Sequence, residues 1–124
     1  MSLFPVKRKE MKRENNHHRR ALEKIAASPG KFGFANVISV SIETTLYSGR
    51  RAVAQPDLMI ESLGKFMTVV EYKGTENHGA LERAKKQLEN AVWWLGKYRP
   101  DIPPENINTK IISGGDSQYR KLLR

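Results

Sequence analysis

The chain has no cysteine among its 124 residues. That excludes a disulfide framework and any thiolate metal site, leaving nitrogen and oxygen donors for metal chemistry. It also lacks an apolar run near the roughly 18 residues a membrane helix needs, and its N-terminus lacks the apolar core of a secretory leader. No internal repeat, low-complexity tract or second domain is visible. Acidic residues are scarce against basic ones: 13 Asp plus Glu face 22 Lys plus Arg, for a formal charge of +9. Such an excess attracts polyanions and speeds their capture. What is present is ordinary for a globular protein, with 39% hydrophobic and 28% charged residues. These totals predict one cytoplasmic domain spanning 1–124, α/β by its order of helices and strands, with residues 1–9 a flexible basic N-terminus. Because the chain stops inside an apparent helix, it reads as a fragment of something longer.

Residues 7–20 hold seven Lys or Arg against Glu10 and Glu14. From about Glu10 to Ser28 the pattern is helical, with Met11, His18, Leu22, Ile25 and Ala26 on one stripe. Ser28-Pro29-Gly30 stops it. Phe34 to Glu43 alternates as a half-buried strand, with Ile38, Val40 and Ile42 on one face. Ser48-Gly49-Arg50-Arg51 reads as a basic turn. Asp57 to Ser62 and Phe66 to Lys73 are two further strands. Only Leu63-Gly64-Lys65 lies between them, which predicts an antiparallel hairpin. A long helix from about Gly79 to Tyr98 carries the stripe Leu81, Ala84, Leu88, Ala91, Val92 and Leu95. Thr109 to Ser113 is a fourth strand, and Ser117 to Arg124 starts a last helix. The predicted order is α-β-β-β-α-β.

Chemistry concentrates at Glu71-Tyr72-Lys73. Residues two apart on a strand share a face, so Glu71 and Lys73 point together and Tyr72 and Val70 point away. If Leu63-Gly64-Lys65 is the loop, Ser62 pairs with Phe66, and counting outward sets Asp57 opposite Glu71. Opposed residues share a face with Cβ atoms about 5 Å apart. Two carboxylates and an ammonium then meet at one end of a hairpin. Paired carboxylates repel, and a divalent cation compensates them; oxygen donors suit Mg²⁺ or Mn²⁺. The carbonyl of Tyr72, between the two side chains, is a further candidate ligand.

Pro56-Asp57, thirteen residues, then Glu71-Tyr72-Lys73 resembles the signature of the PD-(D/E)XK nuclease superfamily. The order α-β-β-β-α-β resembles that family's restriction-endonuclease-like core, a mixed central sheet flanked by helices. The resemblance implies a Mg²⁺- or Mn²⁺-dependent endonuclease hydrolysing DNA phosphodiesters, with RNA the lesser candidate. It implies that Asp57 and Glu71 hold the metal and that Lys73 is the catalytic lysine. It also offers Gln87, on the helix after the lysine strand, and an acidic residue on the first helix, where Glu23 is the nearest match and Glu43 competes. It allows a homodimer that cuts two strands.

Arg19, Arg20, Arg50 and Arg51 are the candidate phosphate contacts. His17 and His18 read as solvated or phosphate-facing, Asn77 as a helix cap before His78, and Trp93 and Trp94 as packing residues. The competing function is the same fold with an idle site, used to hold nucleic acid.

Overall fold

The computed structural model describes residues 16–74, 78–114, 119, 122 and 123. The basic N-terminal arm, Met11, Asn77 and most of the expected last helix lie outside them. Helix α1 covers Asn16–Ala27, and Pro29–Phe32 form a 3₁₀ turn closed by Gly33 at φ 94°. Six strands follow: β1 Val37–Ile42, β2 Leu46–Ser48, β3 Arg51–Ala54, β4 Leu58–Ser62, β5 Phe66–Lys73 and, after helix α2 (His78–Tyr98), β6 Ile107–Ser113. The main sheet is mixed and ordered β1-β4-β5-β6; β4 pairs antiparallel with both β1 and β5, and β6 is parallel to β5. Helix α2 makes the crossover that a parallel pair requires.

Strand alternation gives the sheet two apolar faces. On one, Leu58, Ile60, Val70, Tyr72 and Ile112 pack against Leu22 and Ile25 of α1. On the other, Met67 and Val69 pack against Leu88, Ala91 and Leu95 of α2. The sheet is thus enclosed between the two helices. Leu22 and Ile25 are fully buried, and truncating either to Ala would cost about 2–5 kcal/mol. They fix α1 to the sheet. Tyr119 and Leu123 are buried on the α1 side, where both lie in helical segments.

Two expectations need correction, and a third, the basic turn, gains a hairpin around it. The strand read as Phe34 to Glu43 begins at Val37, and its pairing with β4 slips between Val37 and Ser39. This bulge reverses the parity upstream, so Val37 packs inward and Ile38 is 55% exposed. The Ser48–Arg51 turn closes a hairpin, β2–β3, which strands of three and four residues are too short to announce by alternation. Trp93 does not pack: it is 52% exposed, with Lys97 Nζ over its ring. Trp94 does pack on the α2 side, and its Nε1 donates to the Tyr47 carbonyl. Among the described residues no helix is long and apolar enough to cross a membrane.

Candidate metal centre

The β4–β5 hairpin sets the centre. Its loop is Leu63-Gly64-Lys65, with Gly64 and Lys65 at φ 91° and 63°. Ser62 pairs with Phe66 and the ladder runs outward to Leu58 opposite Val70. One step further, just before β4, Asp57 stands across from Glu71. The two are hooked together: the Asp57 N–H donates to Glu71 Oε2 at 2.9 Å, and the Tyr72 N–H donates to Asp57 Oδ2 at 2.7 Å. Buried Pro56 precedes Asp57, and its ring fixes its own φ and so stiffens the approach to β4.

Two groups join from elsewhere. His18, on α1, puts Nε2 3.4 Å from Asp57 Oδ1 and 3.9 Å from Glu43 Oε2. Its ring lies against Tyr72, with centroids 5.6 Å apart. Glu43 directly follows β1, and its N–H donates to the Asp57 carbonyl at 2.9 Å. Its φ of 49° is uncommon for a residue with a Cβ. One ligand atom each from His18, Glu43 and Asp57 all lie within 4.8 Å of one another. Glu71 is not in that group, because its carboxylate turns to the Asp57 backbone.

The electrostatics follow from burial and crowding. Glu71 is 4% exposed. Burial, then the negative charge of Asp57, pushes its carboxyl up to about 7, although the Asp57 N–H and the charges of Lys73 and His18 pull the other way. The hydrogen bond to Asp57 raises the pKa of His18 despite its burial, with the charges of Asp57 and Glu43 adding to the effect. Glu71 and His18 are both thereby shifted toward their protonated forms.

Asp57, Glu71 and Lys73 do come together, with Lys73 half-buried at the end of β5. The Tyr72 side chain goes to the α1 face, where the residue is 1% exposed; only its backbone belongs to the centre. Gln87 sits beside the loop that leads into β4, its Oε1 accepting the Gln55 N–H at 3.0 Å. Gln55 Nε2 in turn donates to the Glu43 carbonyl at 3.1 Å. Glu23 lies outside the centre, its side chain 55% exposed and paired with Arg19 Nε at 3.2 Å. Arg19 also donates from Nη1 to Glu43 Oε1 at 2.6 Å, so its charge is spent on carboxylates rather than offered to phosphate. Arg20, Arg50 and Arg51 are exposed.

His18 is the residue the sequence reading misplaced. The signal was its position on the inward stripe of α1, four residues before Leu22, where an ionisable side chain needs a partner. Of the two competing acids, β1–β4 pairing sets Glu43 and not Glu23 beside Asp57. Ile42 opposes Leu58, which brings Glu43 to Asp57.

No family model, curated protein or solved structure matches the chain.

Proposed function

We propose that this chain is a divalent-metal-dependent nuclease with a restriction-endonuclease-like core, and that it hydrolyses DNA phosphodiester bonds. The observation that carries this reading is the convergence of Asp57 and Glu71, with Lys73 beside them, at one end of the β4–β5 hairpin. Supporting it is the order of the main elements, a helix, three antiparallel strands, a helix and a parallel strand; the β2–β3 hairpin is an insertion into that order.

The residues fit a divalent ion. Two carboxylates and an imidazole offer converging donor atoms, and a third, buried carboxyl with an elevated pKa stands beside them. Asp57, Glu43 and His18 would hold the ion, with Glu71 completing the negative charge and the Tyr72 carbonyl in reserve. An ion bound there supplies phosphoryl polarisation and a more acidic water. An imidazole among the donors suits Mn²⁺ at least as well as Mg²⁺. Lys73 places a compact positive charge next to Glu71, suited to orienting the attacking water or to stabilising charge on the phosphate. Arg19 fixes the Glu43 carboxylate and so shapes the donor set without touching substrate.

The test is a cleavage panel of duplex, branched and single-stranded DNA with Mg²⁺ or Mn²⁺. It compares the native chain with Asp57→Ala and Lys73→Ala. The native chain should cut at least one substrate, and each variant should be slower by about a hundredfold or more. Cleavage undiminished in Lys73→Ala, or none with either ion, would sink the reading.

A further inference from the structure

Between the β2–β3 hairpin and α2 runs an open groove of mixed polar and apolar lining that the metal centre does not use. Tyr47, Gln55 and the apolar residues 52–54 line one wall; Arg83, Lys86, Gln87 and Asn90 line the other. Its position relative to the centre follows from the chain path. The residue before β2–β3 that belongs to the centre is Glu43, and the one after it is Asp57. Gln55 bridges the two regions, bonding Glu43 through its side chain and Gln87 through its backbone. One end of the groove therefore opens within two residues of the carboxylates.

The chemistry of the walls is that of a nucleic-acid track. Arg83 and Lys86 are exposed and, among the described residues, neither pairs with a carboxylate. Of the amide side chains that line the groove, Gln55 and Gln87 are hydrogen-bonded within the protein, and Asn90 adds a neutral donor and acceptor. Tyr47 is 54% exposed, while its backbone carbonyl is tied to Trp94 Nε1 at 2.9 Å. The ring is thus presented from a backbone that is held in place. An exposed aromatic residue lining the same groove as two cations suits a base that stacks while its phosphates are neutralised. Duplex bases are already stacked on one another, so the ring favours an unpaired strand.

We propose that this groove seats a single strand of nucleic acid, with Arg83 and Lys86 contacting phosphates and Tyr47 stacking a base, and that it leads the strand to the metal centre. The site rests on the nuclease reading for its purpose, but its binding can be measured without it. The experiment is fluorescence anisotropy of a labelled single-stranded DNA, and of a duplex of the same sequence, in EDTA over a series of salt concentrations. Native protein is compared with Arg83→Ala/Lys86→Ala, Tyr47→Ala, Tyr47→Phe and, as a remote control, Lys31→Ala. Circular dichroism melts verify that each variant is folded.

The double variant should weaken single-strand binding and flatten the slope of log affinity against log salt by about 0.7 for each phosphate it no longer neutralises. Tyr47→Ala should weaken it at least about fivefold with little change in slope, and Tyr47→Phe should restore it. Lys31→Ala should change neither. A folded double variant that binds with native affinity and slope overturns the proposal. So does a duplex that binds as tightly as the single strand and is equally insensitive to Tyr47→Ala. Groove-dependent binding by a protein that cuts nothing defeats the nuclease reading alone, and cleavage indifferent to these variants defeats the groove alone.

Discussion

Glu71 carries the largest electrostatic tension in the centre, and its sign has a measurable consequence. Its pKa rises from 4.5 to about 7 on folding, so between those values the folded chain holds a proton that the unfolded chain has released. Stability must then fall as pH rises through that window, and level off on either side of it. His18 pushes in the same direction. Its folded pKa is raised above 6.5, so the stabilisation it draws from Asp57 is complete below that value and fades as pH climbs through the higher folded one. Metal-free protein should accordingly unfold more easily at about pH 8 than at about pH 5. Glu71→Gln, which cannot ionise, should remove up to about 3 kcal/mol of that difference. Urea unfolding in EDTA across the range measures it. An unchanged pH slope in Glu71→Gln would show that the buried carboxyl is not the source.

At the level of elements, the decisive relation is how α2 holds the short hairpin. Trp94 Nε1 bonds the Tyr47 carbonyl, the Ser48 and Tyr98 hydroxyls meet at 2.8 Å, and Gln87 accepts the Gln55 N–H. Among the described residues, Gln87 is linked to the centre through Gln55 and the Glu43 carbonyl, so its proposed role is to position Glu43. Gln87→Ala should cost about 1 kcal/mol of stability, since the Gln55 N–H it strands is exposed and water can replace the missing acceptor. It should raise the Mn²⁺ concentration for half-maximal activity roughly tenfold, as removing an outer partner of a metal ligand does. An unaltered metal dependence would reduce Gln87 to a surface glutamine.

The same elements show why some of this was readable in advance. The β4–β5 register follows from a loop of fixed length with a glycine at a positive φ, so Asp57 could be counted across to Glu71 from the sequence. Glu43 could not be chosen over Glu23, because its place depends on β1 pairing with β4 across the whole β2–β3 hairpin. Alternation within a strand says nothing about which strand lies beside it. Ile38 was misassigned for a related reason: a bulge changes parity without leaving a mark in the hydrophobic pattern. The β2–β3 hairpin is held mainly by α2, and that packing is tertiary.

For the whole molecule, the candidate donor set is assembled from distant stretches of chain: His18 on α1, Glu43 after β1 and Asp57 before β4. No such set exists in the unfolded chain, so the free energy of an ion bound there would become free energy of folding. At a hundred times its dissociation constant an ion adds about 2.7 kcal/mol, which for a domain of this size raises the melting temperature by several degrees. The net charge of +9 complicates the measurement, because any added salt screens self-repulsion and stabilises a strongly basic chain somewhat. The comparison must therefore be made at constant ionic strength, with Mn²⁺ replacing an equivalent of monovalent salt. Under those conditions Mn²⁺ should raise the melting temperature of the native chain and of Glu23→Ala equally, since Glu23 lies outside the donor set. Asp57→Ala should abolish the shift. Arg19→Ala should keep part of it, because the Glu43 carboxylate remains but is without the guanidinium that orients it. If Asp57→Ala and the native chain shift alike, the ion binds elsewhere, and α1, β1 and β4 converge on Asp57 for packing rather than for metal.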